Sequence, residues 1–383
     1  MREFLLESFF ARWQPFVRHQ LTTSESETLS LPDLLDLADP EDLAFWDQVK
    51  FGYTDPGGAA WLRQTIAEQY RPLTAGSVLC FAGAQEAIYA AMHGLLEQGD
   101  HAIVVTPNYQ SAETVPLAIC AVTGIGLDPD QNWELDIDQV AAAIRPNTKL
   151  VSINFPNNPT GKLLSHECFA ALIALCRKHG IWLFSDEVYR LIEQDPTKRL
   201  PTAVCAYERG ISLGGLSKSF GLPGLRMGWL VCGDPQATQA IRHVKTYLSI
   251  CAAAPSEILA RIALKAAAPI LARNRQIAET NLGLIRTVFG AHEDLFDWRE
   301  PDGGVVAFPR YLGTDGVDNF CERMIRDHGV LLMPSAIFRS ELTKVPHDHF
   351  RIGFGRQDFA AGLMVLADQL SEARAPKRRA VVQ

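Results

Sequence analysis

Short apolar runs alternate along this chain with longer stretches whose apolar residues recur every three or four positions. The runs at 77–81 (SVLCF), 102–106 (AIVVT), 150–155 (LVSINF), 181–185 (IWLFS), 211–213 (ISL) and 229–232 (WLVC) have strand length. Helical spacing fills 85–97 and 165–179 between them. Strand runs separated by helical stretches predict an α/β fold, a mostly parallel sheet covered by helices. Past about residue 275 the texture changes. A long helical pattern covers 274–288; then strand-like pieces (305–308, 330–333, 350–354) mix with helical ones (316–328, 359–372). This reads as a smaller α+β domain. The predicted organisation is an N-terminal segment over 1–45 packing with that small domain, a large domain over 46–275, and the small domain over 276–383. At the start, Leu5, Phe9 and Trp13 recur at helical spacing, and Glu3, Glu7 and Arg12 break the apolar run that a signal peptide needs.

Several of the strand runs stop at a polar residue, a glycine or a proline. In open α/β sheets, ligands bind outside the carboxyl ends of the strands. Pattern alone therefore places Gly83-Ala84-Gln85, Tyr109, Asn157-Asn158, Asp186 and Tyr189 where a site is expected. Composition narrows the class. The 383 residues are 47% hydrophobic and 21% charged, as in ordinary soluble enzymes. A net charge of −8 argues against a nucleic-acid partner, and the basic run at 376–379 reads as a solvated tail. No apolar run approaches the roughly 18 residues that span a bilayer. Eight scattered cysteines without a C-x-x-C pair argue against zinc and redox motifs and fit buried thiols in a reducing cytoplasm. His347 and His349 lack a third ligand, so no metal site is expected.

In GLSKSFGLPGLRMGW, 215–229, Lys218 and Arg226 are the only charges. Apolar and small neighbours desolvate a lysine, which lowers its pKa and frees the amine to attack carbonyls. An aldehyde cofactor carrying a phosphate would need that amine, and an arginine or a helix N-terminus for the phosphate. GAQEA (83–87), PNY (107–109), NFPNNPTG (154–161), SDEVY (185–189) and FRIGFG (350–355) accompany this segment in order. With them the chain resembles the class I/II aminotransferases over roughly residues 50–360. These are fold-type I enzymes that use pyridoxal 5′-phosphate (PLP).

The resemblance implies a role for each matched residue. Lys218 would join the cofactor covalently through an imine. Asp186 would face the ring nitrogen and keep it protonated, because an opposite charge stabilises the charged form. Tyr189 and Asn158 would bond the ring's phenolic oxygen, and Tyr109 would stack on the ring face. Gly83, Ala84, Gln85, Ser217 and Arg226 would hold the phosphate. Arg351, with its planar fork, would clamp the substrate's α-carboxylate, and Asn158 would also contact the substrate. Tyr53 would reach the phosphate in a neighbouring subunit, which implies a homodimer with shared sites. Plainer readings stand beside these. Asp186 also suits a helix N-cap, Tyr189 and Tyr109 core packing, Asn157-Asn158-Pro159 a turn, and Arg351 an ion pair with a structural acid.

The activity implied is transfer of an amino group from an α-amino acid to a 2-oxo acid. One departure widens the choice. Many relatives carry a glycine-rich stretch after the N-terminal helix; here 22–35 reads TTSESETLSLPDLL, without glycine. Ser24, Glu25, Ser26 and Glu27 thus become candidates to face the substrate, and an acid there favours a cationic side chain. The stretch also resembles arginine-cyclising relatives of antibiotic pathways, so a PLP-dependent lyase or cyclase is the alternative. A ligand-sensing module of a transcription regulator is disfavoured, because about 45 residues precede the core.

Overall fold

The computed structural model describes residues 1–374. The basic run at 376–379 lies outside the described residues. A seven-stranded sheet forms the centre. Its strands in chain order are β1 (Val78–Phe81), β2 (His101–Thr106), β3 (Ala121–Gly126), β4 (Thr148–Asn154), β5 (Trp182–Asp186), β6 (Gly210–Gly215) and β7 (Gly228–Cys232). They lie in the order β1-β7-β6-β5-β4-β2-β3. All neighbours are parallel except β7, which runs antiparallel to β1 and β6. The continuous apolar runs have a simple cause: these strands are covered on both faces. Along β5, Trp182 and Phe184 enter one apolar cluster while Leu183 enters another. Alternate side chains of a strand point to opposite faces, so the two clusters are the cores above and below the sheet.

Six of the strands match the predicted runs. β3 was not anticipated: AVTGIG is interrupted by Thr123, Gly124 and Gly126 and lies at the sheet edge. The helix expected over 274–288 spans Ala267–Gly290. Its extra first turn contains Pro269, which is tolerated because the first N–H groups of a helix have no intrahelical partner. The run at 330–333 divides into Val330–Leu331 and Met333–Pro334.

A small antiparallel sheet follows, with strands β8 (Val306–Ala307), β9 (Met333–Pro334) and β10 (Phe350–Gly353) in the order β8-β10-β9. The N-terminal helix spans Leu5–Trp13, and His19–Gln20 pairs in parallel with Val330–Leu331. No helix among the described residues is long and apolar enough to cross a membrane.

Candidate active site

The carboxyl ends of the parallel strands open into a cleft of about 510 Å³. Asn154 ends β4 and Asp186 ends β5, in register with each other. The Asn154 amide donates to the Asp186 carbonyl at 3.0 Å, and its Oδ1 accepts the Asn158 N–H at 2.9 Å. Asn157 builds the turn, accepting from the Thr160 N–H and hydroxyl and donating to the Pro107 carbonyl. That leaves the Asn158 side chain to face the cleft. The turn reading and the site reading thus apply to neighbouring asparagines.

Asp186 is buried, and no helix begins at it, so the N-cap alternative does not hold. Burial pushes its carboxyl up to about 7; Glu187 adds to the push, and the Val188 N–H and Lys218 oppose it. Lys218 is half-buried just past the end of β6. Its Nζ donates to Ser24 Oγ at 2.8 Å. Burial weakens its hold on a proton, and Arg351 adds to that, while Glu25, Asp186 and Glu7 oppose it. Tyr109 and Tyr189 both line the cleft. Burial pushes the Tyr109 phenol up to about 12, and the ring of Phe4 lies 5.3 Å from its own.

The phosphate-type corner has a helix start at its centre. The helix Ala84–Leu95 begins without a side-chain cap, leaving N–H groups unclaimed by the chain's own side chains. Gly83 there has φ of 91°, and a Cβ on it would strike the Arg226 guanidinium. A Cβ on Gly228 would meet the Ala84 nitrogen at 2.6 Å, so β7 must begin with glycine for the helix to start where it does. Gln85, Ser217 and Arg226 line the cleft; Gly83 and Ala84 do not. Among the described residues Arg226 makes no ion pair.

Arg351 is fully buried behind Asn158 and does not itself line the cleft. Its Nη1 donates to Asn158 Oδ1 at 3.0 Å and its Nη2 to the Thr22 carbonyl at 2.7 Å. It has no ion pair among the described residues, and its Nε has no partner. The structural-acid alternative therefore fails, and a buried charge without a counter-ion favours an anionic ligand. Tyr53 is 90% exposed and stands outside the cleft of its own chain.

The outer wall comes from the N-terminus. Leu6, Glu7, Phe10 and Gln14 project from one side of the first helix and its continuation, followed by Gln20, Thr23, Ser24 and Glu25. Glu7, Phe10 and Gln14 are not among the site residues the sequence predicts, although spacings of three and four put them on one face. Of the four foreseen polar residues, Ser24 and Glu25 line the cleft. Glu27 instead accepts the Gln357 N–H at 2.7 Å and lies 3.4 Å from Arg356. Ser26 is buried and uses its N–H to hold the Lys218 carbonyl.

Residues 35–358 match the family Aminotransferase class I and II. The chain belongs to that family. It is 30% identical over 365 residues to capreomycidine synthase of Streptomyces vinaceus, across 94% of this chain and 90% of that protein. It is 32% identical over 313 residues to arginine–pyruvate transaminase AruH of Pseudomonas aeruginosa, across 79% and 77% of the two chains. A PLP-dependent aminotransferase from Streptococcus suis superposes with a TM-score of 0.90 at 27% identity, covering 97% of this chain and 98% of that one.

The class I and II aminotransferases are PLP-dependent, and the residues here fit that group. The uncapped helix start and Arg226 suit a phosphate. The Asp186 carboxylate suits a protonated ring nitrogen, and Lys218 suits an aldehyde.

Proposed function

We propose that this protein is a PLP-dependent aminotransferase that takes the amino group of an α-amino acid with a cationic side chain and passes it to a 2-oxo acid. The convergence of Lys218, Asp186, Tyr189 and Asn158 on one cleft, beside an uncapped helix start, carries the reading. Bound PLP supplies the electron sink for the charge left when Cα loses its proton. Lys218 holds the cofactor and, once displaced, carries that proton at Nζ; such general acid–base help is typically worth about 10²–10⁴-fold. Asp186 would hold the ring nitrogen's charge, and that charge favours the ionised form of its carboxyl. Tyr189 and Asn158 would bond the ring oxygen, and Tyr109 would cover the ring face. Gln85, Ser217, Arg226 and the N–H groups beginning at Gly83-Ala84 take the phosphate. Arg351, steadied by Asn158, orients the α-carboxylate. Glu7 and Glu25, which also line the cleft, attract a cationic side chain. The likeness to an arginine–pyruvate transaminase supports that substrate class.

A second reading, cyclisation or elimination of the same kind of amino acid, is favoured by the likeness to capreomycidine synthase across 94% of the chain. One experiment separates them. PLP-loaded protein is mixed with arginine, ornithine, lysine, leucine and aspartate, and the cofactor's absorption is followed. Transfer converts the cofactor with donor alone and restores it when a 2-oxo acid is added. Steady turnover without an acceptor supports the cyclase or lyase. No spectral response to any amino acid sinks both.

The protein further acts as a homodimer in this reading. Phe51, Tyr53, Tyr247 and Ile250 leave apolar surface open on one chain, and Tyr53 would serve the partner's phosphate. Sedimentation of a fully active monomer would contradict this. The cytoplasm is its expected compartment, since all eight cysteines are free.

A further inference from the structure

We propose that Ser24 is a positioning residue for Lys218, its hydroxyl anchoring the lysine amine whenever that amine is not joined to the cofactor. The inference rests on the function proposed above. Lys218 Nζ donates to Ser24 Oγ at 2.8 Å, across 194 positions of chain. Ser24 is only 9% exposed. Its place is set by the backbone around it. The Gly353 N–H donates to the Leu21 carbonyl at 2.8 Å, and Arg351 Nη2 to the Thr22 carbonyl at 2.7 Å. The Ser26 N–H donates to the Lys218 carbonyl at 3.1 Å. Glycines clear the path: a Cβ on Gly353, Gly355 or Gly221 would strike the carbonyls of Thr23, Glu25 or Glu27. One segment therefore grips Lys218 twice, at its carbonyl through Ser26 and at its amine through Ser24.

A hydroxyl suits this task because it accepts from an ammonium and donates to a neutral amine. A lysine that takes up and returns a proton passes through both states. Its long stem otherwise spreads over many rotamers, and one hydrogen bond narrows them. Ser24 also lies near the buried Tyr189 hydroxyl and tempers the rise of its pKa, although the two do not form a well-aligned bond.

The test starts with the cofactor removed. An amine-reactive reagent labels Lys218 over a range of pH, and the modified peptide is quantified by mass. Hydrogen bonds to charged groups are roughly twice as strong as neutral ones, so losing the hydroxyl penalises the ammonium more than the amine. Ser24→Ala is expected to move the labelling midpoint down by about half to one pH unit. Ser24→Thr, which keeps the hydroxyl, restores it. Ser26→Ala removes a hydroxyl from the same segment but keeps the N–H that holds the Lys218 carbonyl; it leaves the midpoint in place, which ties the shift to the Ser24 hydroxyl itself. In the PLP-loaded enzyme, Ser24→Ala lowers kcat by about ten- to a hundredfold with KM little changed. A folded Ser24→Ala protein with an unshifted midpoint overturns the proposal. If that variant does not fold, Ser24→Cys takes its place, since a thiol is a weak partner, and an unshifted midpoint there is equally fatal. Failure of the wild type to take up PLP is a different result: it removes the functional reading, while the labelling still reports on the contact.

Discussion

The floor and the outer wall of the cleft are reached by different routes along the chain. Floor residues sit at or just past strand ends. Asn154 and Asp186 close adjacent strands in register, and Lys218 follows the last residue of β6 by a short turn. The wall is threaded from far away: Arg351 meets Thr22 across 329 positions, and Lys218 meets Ser24 across 194. Parallel strands fix the floor whatever the substrate is. The wall can vary without disturbing the sheet. On the proposed function, cofactor chemistry is therefore written in short local motifs, and substrate choice in a segment whose place depends on its partners.

Breaking the floor should have the largest effect. Lys218→Ala is expected to lower kcat by at least about 10³-fold, because covalent attachment and proton carriage are lost together. Single-turnover kinetics measure it, and a loss below tenfold would break the distinction between floor and wall. Arg351→Lys comes next. The buried guanidinium is held from both sides, by Asn158 and by the Thr22 carbonyl. A lysine there offers a point charge in place of a fork, so kcat/KM should fall by about 10²-fold for every amino acid tried.

Glu25→Gln sharpens the comparison from the wall side. Here the loss should be selective: about tenfold in kcat/KM for arginine, ornithine or lysine, and near none for leucine. Glu25 lines the cleft 3.7 Å from Arg356, so part of its charge is already answered. That keeps the expected effect below that of Arg351. An equal loss for leucine and arginine would mean that Glu25 shapes the segment and does not read the side chain.

The two routes also explain what the sequence disclosed. Asp186, Tyr189, Asn158 and Tyr109 were legible because each ends or follows an apolar run, and strand ends are where such sheets bind ligands. Arg351 was legible only through its motif. Nothing in FRIGFG says that the arginine would be buried beside Thr22, or that Gly353 and Gly355 make room for the segment carrying Ser24. Ser24 and Glu25 were foreseen as a polar stretch, but alternation alone could not tell them from Ser26 and Glu27, which turn away. Glu7 looked like an ordinary acid of an amphipathic helix. The edge strand β3 was hidden because glycines and a threonine dilute its apolar run. Tyr53, exposed here, depends on a second chain for the role the motif implies.

The smallest expected effect is one of pH on the cofactor-free protein. An unfolded aspartate titrates near 4, whereas burial holds native Asp186 at about 7. Between those values the native carboxyl keeps a proton that the unfolded chain has lost. The native state then binds more protons, so stability falls as pH rises through this window. Asp186→Asn cannot ionise and removes this contribution. Thermal unfolding of the cofactor-free proteins from pH 5 to 8 should show a shallower decline for the variant, by roughly a few degrees over the range. Loading the wild type with PLP should flatten its decline too, because a ring cation beside the carboxylate favours the ionised form. Parallel curves for the two cofactor-free proteins would mean that the floor carries no ionisable strain at Asp186, and the contrast with the wall would then rest on geometry alone.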